Sequence, residues 1–328
     1  MMRLVILVLF SFSLLFQAKG QDNVIYNLFE DSNKVYAYST HMGKIEGFMA
    51  SDTHFRAFSG KKLNEYNLSL FDAFTNEPLD FVLPEVSSDK TSHKITFSRF
   101  SDSSQISVSK NAEAPKGKFE VDLLFPAELS GNSPLFKSVT GKILSTEGSS
   151  YTNVKEVFRI ASNGFDKQYL TSNEELFSQY GNECFACNWE KKFMLTPLFF
   201  NSRYLSFNLS EYAYTGGAHG MQHNSIINID RSSGDIITLE SFLKKESDSK
   251  LTAIITSHIK DKLKLRKETS LKEAGFFNES IPPASNYAIT PYGIVFIYNP
   301  YEIGPYSMGI VSVFIPEKEL KNLLIEKL

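Results

Sequence analysis

The chain is predicted to be α+β, with a β-rich module over residues 21–130 and an α+β domain over 135–328 that holds an antiparallel sheet and two helices. Three observations predict this. Short apolar/polar alternations with a period of two recur through residues 21–127, the pattern of strands with one buried and one wet face. One stretch near residue 250 carries apolar residues at helical spacing. The composition includes 28 Phe and 15 Tyr, residue types that suit pleated, half-buried surfaces.

In the first module, residues 66–70, 95–97, 106–108 and 119–123 alternate and are read as strands. Turn chemistry separates them at Ser59-Gly60-Lys61, Thr75-Asn76-Glu77, Ser87-Ser88-Asp89 and residues 114–117. Ser130-Gly-Asn-Ser-Pro134 reads as the linker. Beyond it, residues 136–143 and 158–161 are expected as strands, and 174–180 as a short helix. Residues 203–214 form a strand that stops at a glycine turn, and 223–230 form its return. Arg231-Ser-Ser-Gly-Asp235 is a second turn. Residues 249–264 are the clearest helix, with Leu251, Ile254, Ile255, His258 and Ile259 on one stripe. An isolated histidine in such a stripe reads as a core-edge residue rather than a ligand. Residues 287–290, 294–298 and 310–315 are strands. Pro316 suits a first helical position, and Leu320, Leu323 and Leu324 give a last helix its apolar face.

Residues 1–20 have the form of a secretory signal peptide. Arg3 supplies the positive start, residues 4–16 are apolar apart from Ser11 and Ser13, and Ala18-Lys19-Gly20 places small residues before a cut at Gln21. The alternative is an uncleaved N-terminal anchor, for which the apolar run is short. No later stretch is long and apolar enough to span a bilayer as a helix, so no transmembrane segment is expected after the leader is removed. These features point to a periplasmic or extracellular location.

The formal net charge is −3, which does not favour a nucleic-acid partner. No phosphate-binding glycine motif and no G-x-S-x-G elbow occurs, so neither a nucleotide cofactor nor a serine hydrolase is indicated. Cys184 and Cys187 are the two cysteines. Haem attachment would need His at 188, where Asn188 stands, and zinc would need a second ligand pair. A local disulfide and a redox pair remain, and an oxidising compartment favours the disulfide.

Two segments carry chemistry. In Glu211-Tyr-Ala-Tyr-Thr-Gly-Gly-Ala-His-Gly220, a strand ends at Gly216 and Gly217, which permit positive φ, and presents Tyr214, Thr215 and His219. His219 and His223 have metal-ligand spacing for a helix, but the glycines argue against a helix. On a strand the two would lie roughly 13 Å apart. The second segment, Tyr298-Asn-Pro-Tyr301-Glu302-Ile-Gly-Pro305-Tyr306, sets three tyrosines and a carboxylate among two prolines and a glycine. Tyrosine offers rigid contact area with a polar tip. The same composition also serves turns that merely pin strand ends.

These motifs, in this order and with the turn after Asp230, resemble a family of extracytoplasmic bacterial domains of unknown function numbered 3298, often preceded by a domain numbered 4163. The family pattern is a Tyr-x-Gly-Gly-Ala-His turn, a Thr-Gly turn and a Tyr-Glu-Ile-Ala-Pro-Tyr loop. Here Ser233 stands for Thr and Gly304 for Ala. The resemblance covers about residues 135–328 and implies an α+β fold in the cell envelope. Members include the sensor part of an anti-sigma factor that binds lysozyme and modules attached to peptidoglycan deacetylases. The deacetylase Thr-Phe-Asp-Asp run is missing here.

The expected ligand-binding residues are therefore Tyr214, Thr215, Gly216, Gly217, His219, Tyr301, Glu302 and Tyr306, with peptidoglycan or a lysozyme-like protein as partner. No catalytic residue, metal or cofactor is assigned. Two other readings stay open: a metal-dependent hydrolase using His219, His223 and a carboxylate such as Glu211 or Glu302, and a purely structural envelope domain.

Overall fold

The structure is a computed structural model that describes residues 19–31, 34–41, 44–62, 68–72, 74, 78–79, 91–109, 111, 113–129, 131–146, 150–266, 268–290 and 292–325. Most of the expected leader lies outside the described residues, as do the expected turns at 75–77 and 87–89. The first half is a run of antiparallel strands: β1 (Lys19–Asp31), β2 (Lys34–His41), β3 (Lys44–Ser51), β4 (Phe55–Lys62), β5 (Leu68–Asp72), β6 (Pro78–Leu79), β7 (Thr91–Ser107) and β8 (Lys116–Pro126). The expected strand at 95–97 and the first two residues of that at 106–108 are parts of the one strand β7. The expected turn at 59–61 lies inside β4, where Gly60 pairs with Ile45 on one side and Leu70 on the other. A glycine inside a ladder is a weak turn signal when neighbours on both sides satisfy its backbone.

Two helices follow where strands were expected. α1 (Pro134–Leu144) replaces the strand read at 136–143. Its start is set by Ser133, whose hydroxyl accepts from the Phe136 N–H, and by Pro134 in the first turn. Ser133 and Pro134, the last residues of the segment read as a linker, thus start this helix. Leu135, Phe136, Val139, Thr140 and Ile143 are its buried face. α2 (Val154–Tyr180) absorbs both the strand read at 158–161 and the short helix read at 174–180. Asn153 caps it, and Val157, Phe158, Ser162, Phe165, Asp166, Tyr169 and Asn173 form a stripe three or four residues apart.

These helices have a topological purpose. β9 (Trp189–Phe200) pairs with β8 in parallel, and parallel neighbours need a long crossover. α1 and α2 supply it. β10 (Tyr204–Tyr214) and β11 (Met221–Asp230) then extend the sheet antiparallel, as the sequence predicts. The order is β11-β10-β9-β8-β7-β1-β2-β3-β4-β5-β6. Strands from before α1 and after α2 thus belong to one sheet. It also curls: Phe48 of β3 meets Phe199 and Phe200 of β9 at 5.0 and 5.4 Å between ring centroids, although four strands separate them in the order. Tyr26, Phe97 and Phe207 join that aromatic core.

A second, smaller layer completes the α+β fold. It holds α3 (Asp248–Lys262), the antiparallel strands β12 (Tyr287–Thr290), β13 (Gly293–Tyr298) and β14 (Val311–Pro316), and α4 (Glu317–Leu320). Among the described residues there are thus four α-helices, with α1 the one that no helical reading of the sequence places. The last helix is only four residues long, with Pro316 ending β14 ahead of it, but Leu320, Leu323 and Leu324 are buried as the pattern predicts. His258 sits part-exposed on α3, with Nε2 3.0 Å from Glu319 Oε2, a core-edge histidine. Asn228 of β11 stitches the layers together. Its side chain accepts from Ser206 Oγ and the Ile289 N–H and donates to the Tyr287 carbonyl.

Asp166 is buried beneath α2, with Oδ1 lacking a partner among the described residues. Burial pushes its carboxyl up to about 6. A raised carboxylate pKa means that the folded state holds the proton more tightly than the unfolded state. The stability this gives is complete below the unfolded value near 4 and is lost as pH rises through about 6. Asp166→Asn, which keeps the neutral shape, is expected to stabilise the protein at pH 7 by on the order of 2 kcal/mol. The gain should fade below about pH 4. Urea unfolding at the two pH values measures this, and equal effects at both would disprove it.

Candidate functional site

The site grows from the β10–β11 hairpin. Its register runs from Tyr204 opposite Asp230 to Ala213 opposite Met221, leaving residues 214–220 as the turn. Gly216 and Gly217 take φ of 85° and 106°, the conformation that the sequence predicts for them. A side chain at Gly216 would also press on the Ala186 carbonyl at 3.0 Å. A Cβ at Gly220 would run into the Tyr212 hydroxyl. The Tyr214 hydroxyl donates across the turn to the Gly217 carbonyl at 3.1 Å. Thr215 and His219 are exposed.

The second segment links β13 to β14 and comes against this turn. The His219 and Tyr306 rings stack with centroids 3.8 Å apart and planes at 16°. Tyr301 lies 5.9 Å from Tyr306. The Tyr306 hydroxyl donates to the Gly220 carbonyl at 2.8 Å, and His219 Nδ1 lies 3.0 Å from the same oxygen. A carbonyl only accepts, so Nδ1 is the donor in this contact. Tyr301 is 52% exposed and held at φ 70°, a left-handed backbone unusual for an aromatic residue. Tyr298 is buried and donates to the Pro282 carbonyl. Burial, with Glu302 nearby, pushes its phenol well up, so it stays a donor.

Asn299, to which sequence reasoning gave no role, fixes the loop. Buried, it accepts from the Asn224 N–H at 2.7 Å and donates to the Asn224 carbonyl and to Glu302 Oε1. Its amide therefore mimics a strand partner for β11. An Asn before Pro between a strand and a Tyr-rich loop was the visible signal. Glu302 is exposed and tied to Asn299.

Cys184 and Cys187 form a disulfide, with both residues buried in a pair of short 3₁₀ turns. The bridge holds Phe185 out at 82% exposure and sets Ala186 against Gly216. The disulfide loop is therefore a neighbour of the glycine turn, which the sequence did not reveal.

The structure thus brings together Tyr214, Thr215, Gly216, Gly217, His219, Tyr301, Glu302 and Tyr306. It does not assemble the alternative metal site. His223 lies opposite Glu211 in the hairpin, Glu211 pairs with Lys191 at 3.1 Å, and His219 is engaged in the ring stack. Among the described residues no group of three or more His, Cys, Asp or Glu is placed to hold a metal ion.

Beside Tyr306 opens a cleft of about 710 Å³, walled by Phe74, Gln222, Ile259, Leu263, Phe276 and Met308 among others. It lies within the usual size range of ligand sites. No helix among the described residues is long and apolar enough to cross a membrane.

No curated protein matches the chain. A member of the DUF3298 family from Bacteroides fragilis has a similar structure, with TM-score 0.64 and 20% identity over 71% of this chain and 94% of that one. A DUF3298 family protein from Pseudomonas aeruginosa gives TM-score 0.49 and 18% identity over 70% and 93%. At 20% identity the likeness to the Bacteroides fragilis structure is one of fold. In sequence, residues 240–318 match the family described as "Protein of unknown function (DUF3298)", a narrower span than the resemblance predicts, which takes in the Tyr301–Tyr306 loop and leaves the glycine turn outside.

Proposed function

We propose that the chain is an exported cell-envelope binding module whose glycine turn and 301–306 loop contact a cell-wall glycan. The observation that carries this reading is the stack of His219 on Tyr306 beside the strained, outward Tyr301. Flat aromatic faces with polar rims suit sugar rings, whose C–H faces pack on them while hydroxyls find donors and acceptors. Backbone strain that packing does not require is a marker of functional sites. The resemblance of the sequence to envelope domains, to the 4163-like arrangement and to lysozyme-responsive sensors supports the location and adds a wall-acting protein as the rival partner.

Calorimetric titration with soluble peptidoglycan fragments and, separately, with lysozyme tests this. Fragments should bind, and Tyr301→Ala and His219→Ala should each weaken binding about tenfold or more with little change in melting temperature. Binding of lysozyme without fragments would replace the glycan by a protein. A specific observation favours a second, structural reading: Tyr306 bonds the Gly220 carbonyl and so pins loop to turn. If neither partner binds and Tyr306→Ala only lowers the melting temperature, that reading stands. Export predicts that envelope protein starts near Gln21, and an intact Met1 would refute it.

A further inference from the structure

Most of the sheet edges near the site are closed by side chains. On β11 the Asn224 backbone is taken up by Asn299, the Ile226 N–H by Asn286 Oδ1, and the Asn228 carbonyl by the Ile237 N–H. On β12, Tyr287 and Ile289 are taken up by Asn228. The outer edge of β14 differs. The Ile297 N–H donates to the Asn286 carbonyl, so Ile297 points away from β14. Its partner across the ladder is Ser312. In antiparallel pairing opposite residues share this alternation, so Ser312, Phe314 and Pro316 turn their backbone groups outward. Two facts agree: Lys262 Nζ reaches the Ser312 carbonyl at 2.9 Å, and a proline, which has no N–H to lose, occupies 316. Among the described residues the Ser312 N–H and the N–H and C=O of Phe314 have no partner.

This edge faces a trench. The 710 Å³ cleft runs beside residues 306–311, and a second cavity of about 250 Å³ runs beside residues 312–314. Phe74 and Lys262 line both, so the two cavities adjoin along the strand and are together called the channel. Its far wall is residues 53–57 with Asp72 and Phe74, and its floor near Tyr306 is apolar.

We propose that β14 is a docking edge for an extended peptide segment of a partner protein, which adds as a strand along the channel. Backbone donors and acceptors at two-residue spacing specify another backbone, and neither sugars nor nucleotides offer that repeat. Where the segment runs on past Ser312 toward Tyr306, its alternate side chains would rest on the apolar floor around Leu263 and Met308, so that end of the segment carries apolar residues at every second position. The proposal does not depend on the glycan reading.

The test is selection of peptides from a phage-displayed random twelve-residue library on the full chain. Titration and amide hydrogen exchange with a selected peptide follow. Wild type should yield peptides with alternating apolar residues that protect the Ser312 and Phe314 amides. Ser312→Pro deletes one outward N–H and should lower affinity about tenfold, the scale of a net hydrogen bond or two. Ser312→Ala keeps the N–H and should bind as wild type. Leu263→Trp, at an exposed position on the channel wall, should also block binding and serves if the proline variant fails to fold. No enriched peptides, or peptides indifferent to both Ser312→Pro and Leu263→Trp, would overturn the proposal. So would a concentration-dependent dimer abolished by Ser312→Pro, which would assign the edge to a second copy.

Discussion

Phe200→Ala is expected to cost about 3–5 kcal/mol of stability, the range for removing a fully buried aromatic ring. Phe200 has no exposed surface and lies 5.9 Å from Tyr26, 5.4 Å from Phe48 and 6.0 Å from Phe97. Those partners belong to β1, β3 and β7, while Phe200 ends β9. The ring therefore ties the N-terminal strands to the half that carries the site. The substitution removes both transfer energy and edge-to-face contacts, and a curled sheet cannot close readily over the gap. Guanidinium unfolding followed by tyrosine fluorescence and by far-ultraviolet circular dichroism measures the effect. Both probes should move together. A loss below about 1 kcal/mol would show that the two halves do not rely on this contact.

Asn299→Ala should cost about 2–4 kcal/mol and also remove whatever binding residues 301–306 provide. The stability loss follows from leaving the Asn224 N–H and C=O buried without their partner. The Asn224 side chain bonds Asn208 within the hairpin and cannot substitute for the lost amide. The binding loss follows because the Asn299 side-chain amide also holds the Glu302 carboxylate. Denaturant midpoints and titration of the proposed ligands read the two effects separately. If stability falls with binding unchanged, the loop is positioned by Tyr306 alone. Asn299→Asp is the informative companion. It keeps the acceptor but loses the donors, and it sets a second carboxylate against Glu302.

What could be read from the sequence follows from how local each determinant is. The hairpin of β10 and β11 was legible because alternation, two glycines and a polar return lie within one stretch. α3 and the strands β12 to β14 were legible for the same reason. α1 was not: residues 136–143 hold Phe, Val, Thr and Ile, which favour strands, and only the Ser133–Pro134 cap and the burial of one face make them helical. α2 was missed because its stripe is interrupted by Ser162, Asp166 and Asn173, polar residues that are buried in the structure. The meeting of residues 214–220 with 301–306 was expected only as a pair of loops, since no local signal encodes the ring stack. The Asn–Pro step after a strand marked Asn299 locally but could not name its partner, because Asn224 lies 75 residues away.

The parallel join of β8 and β9 has a consequence for how the chain assembles as it is made. β8 finds its first neighbour, β7, at once, but its second edge must wait until both crossover helices and the start of β9 have been synthesised. During that interval a long strand carrying Phe119, Val121, Leu123 and Leu124 stands with one row of amides unfilled. Such a nascent chain invites mispairing with its neighbours on a polysome. The non-local closure also makes the late step slow compared with the hairpins on either side. Chains stalled between Pro126 and Trp189 should therefore be the species that holdase chaperones retain longest. Release should coincide with emergence of β9.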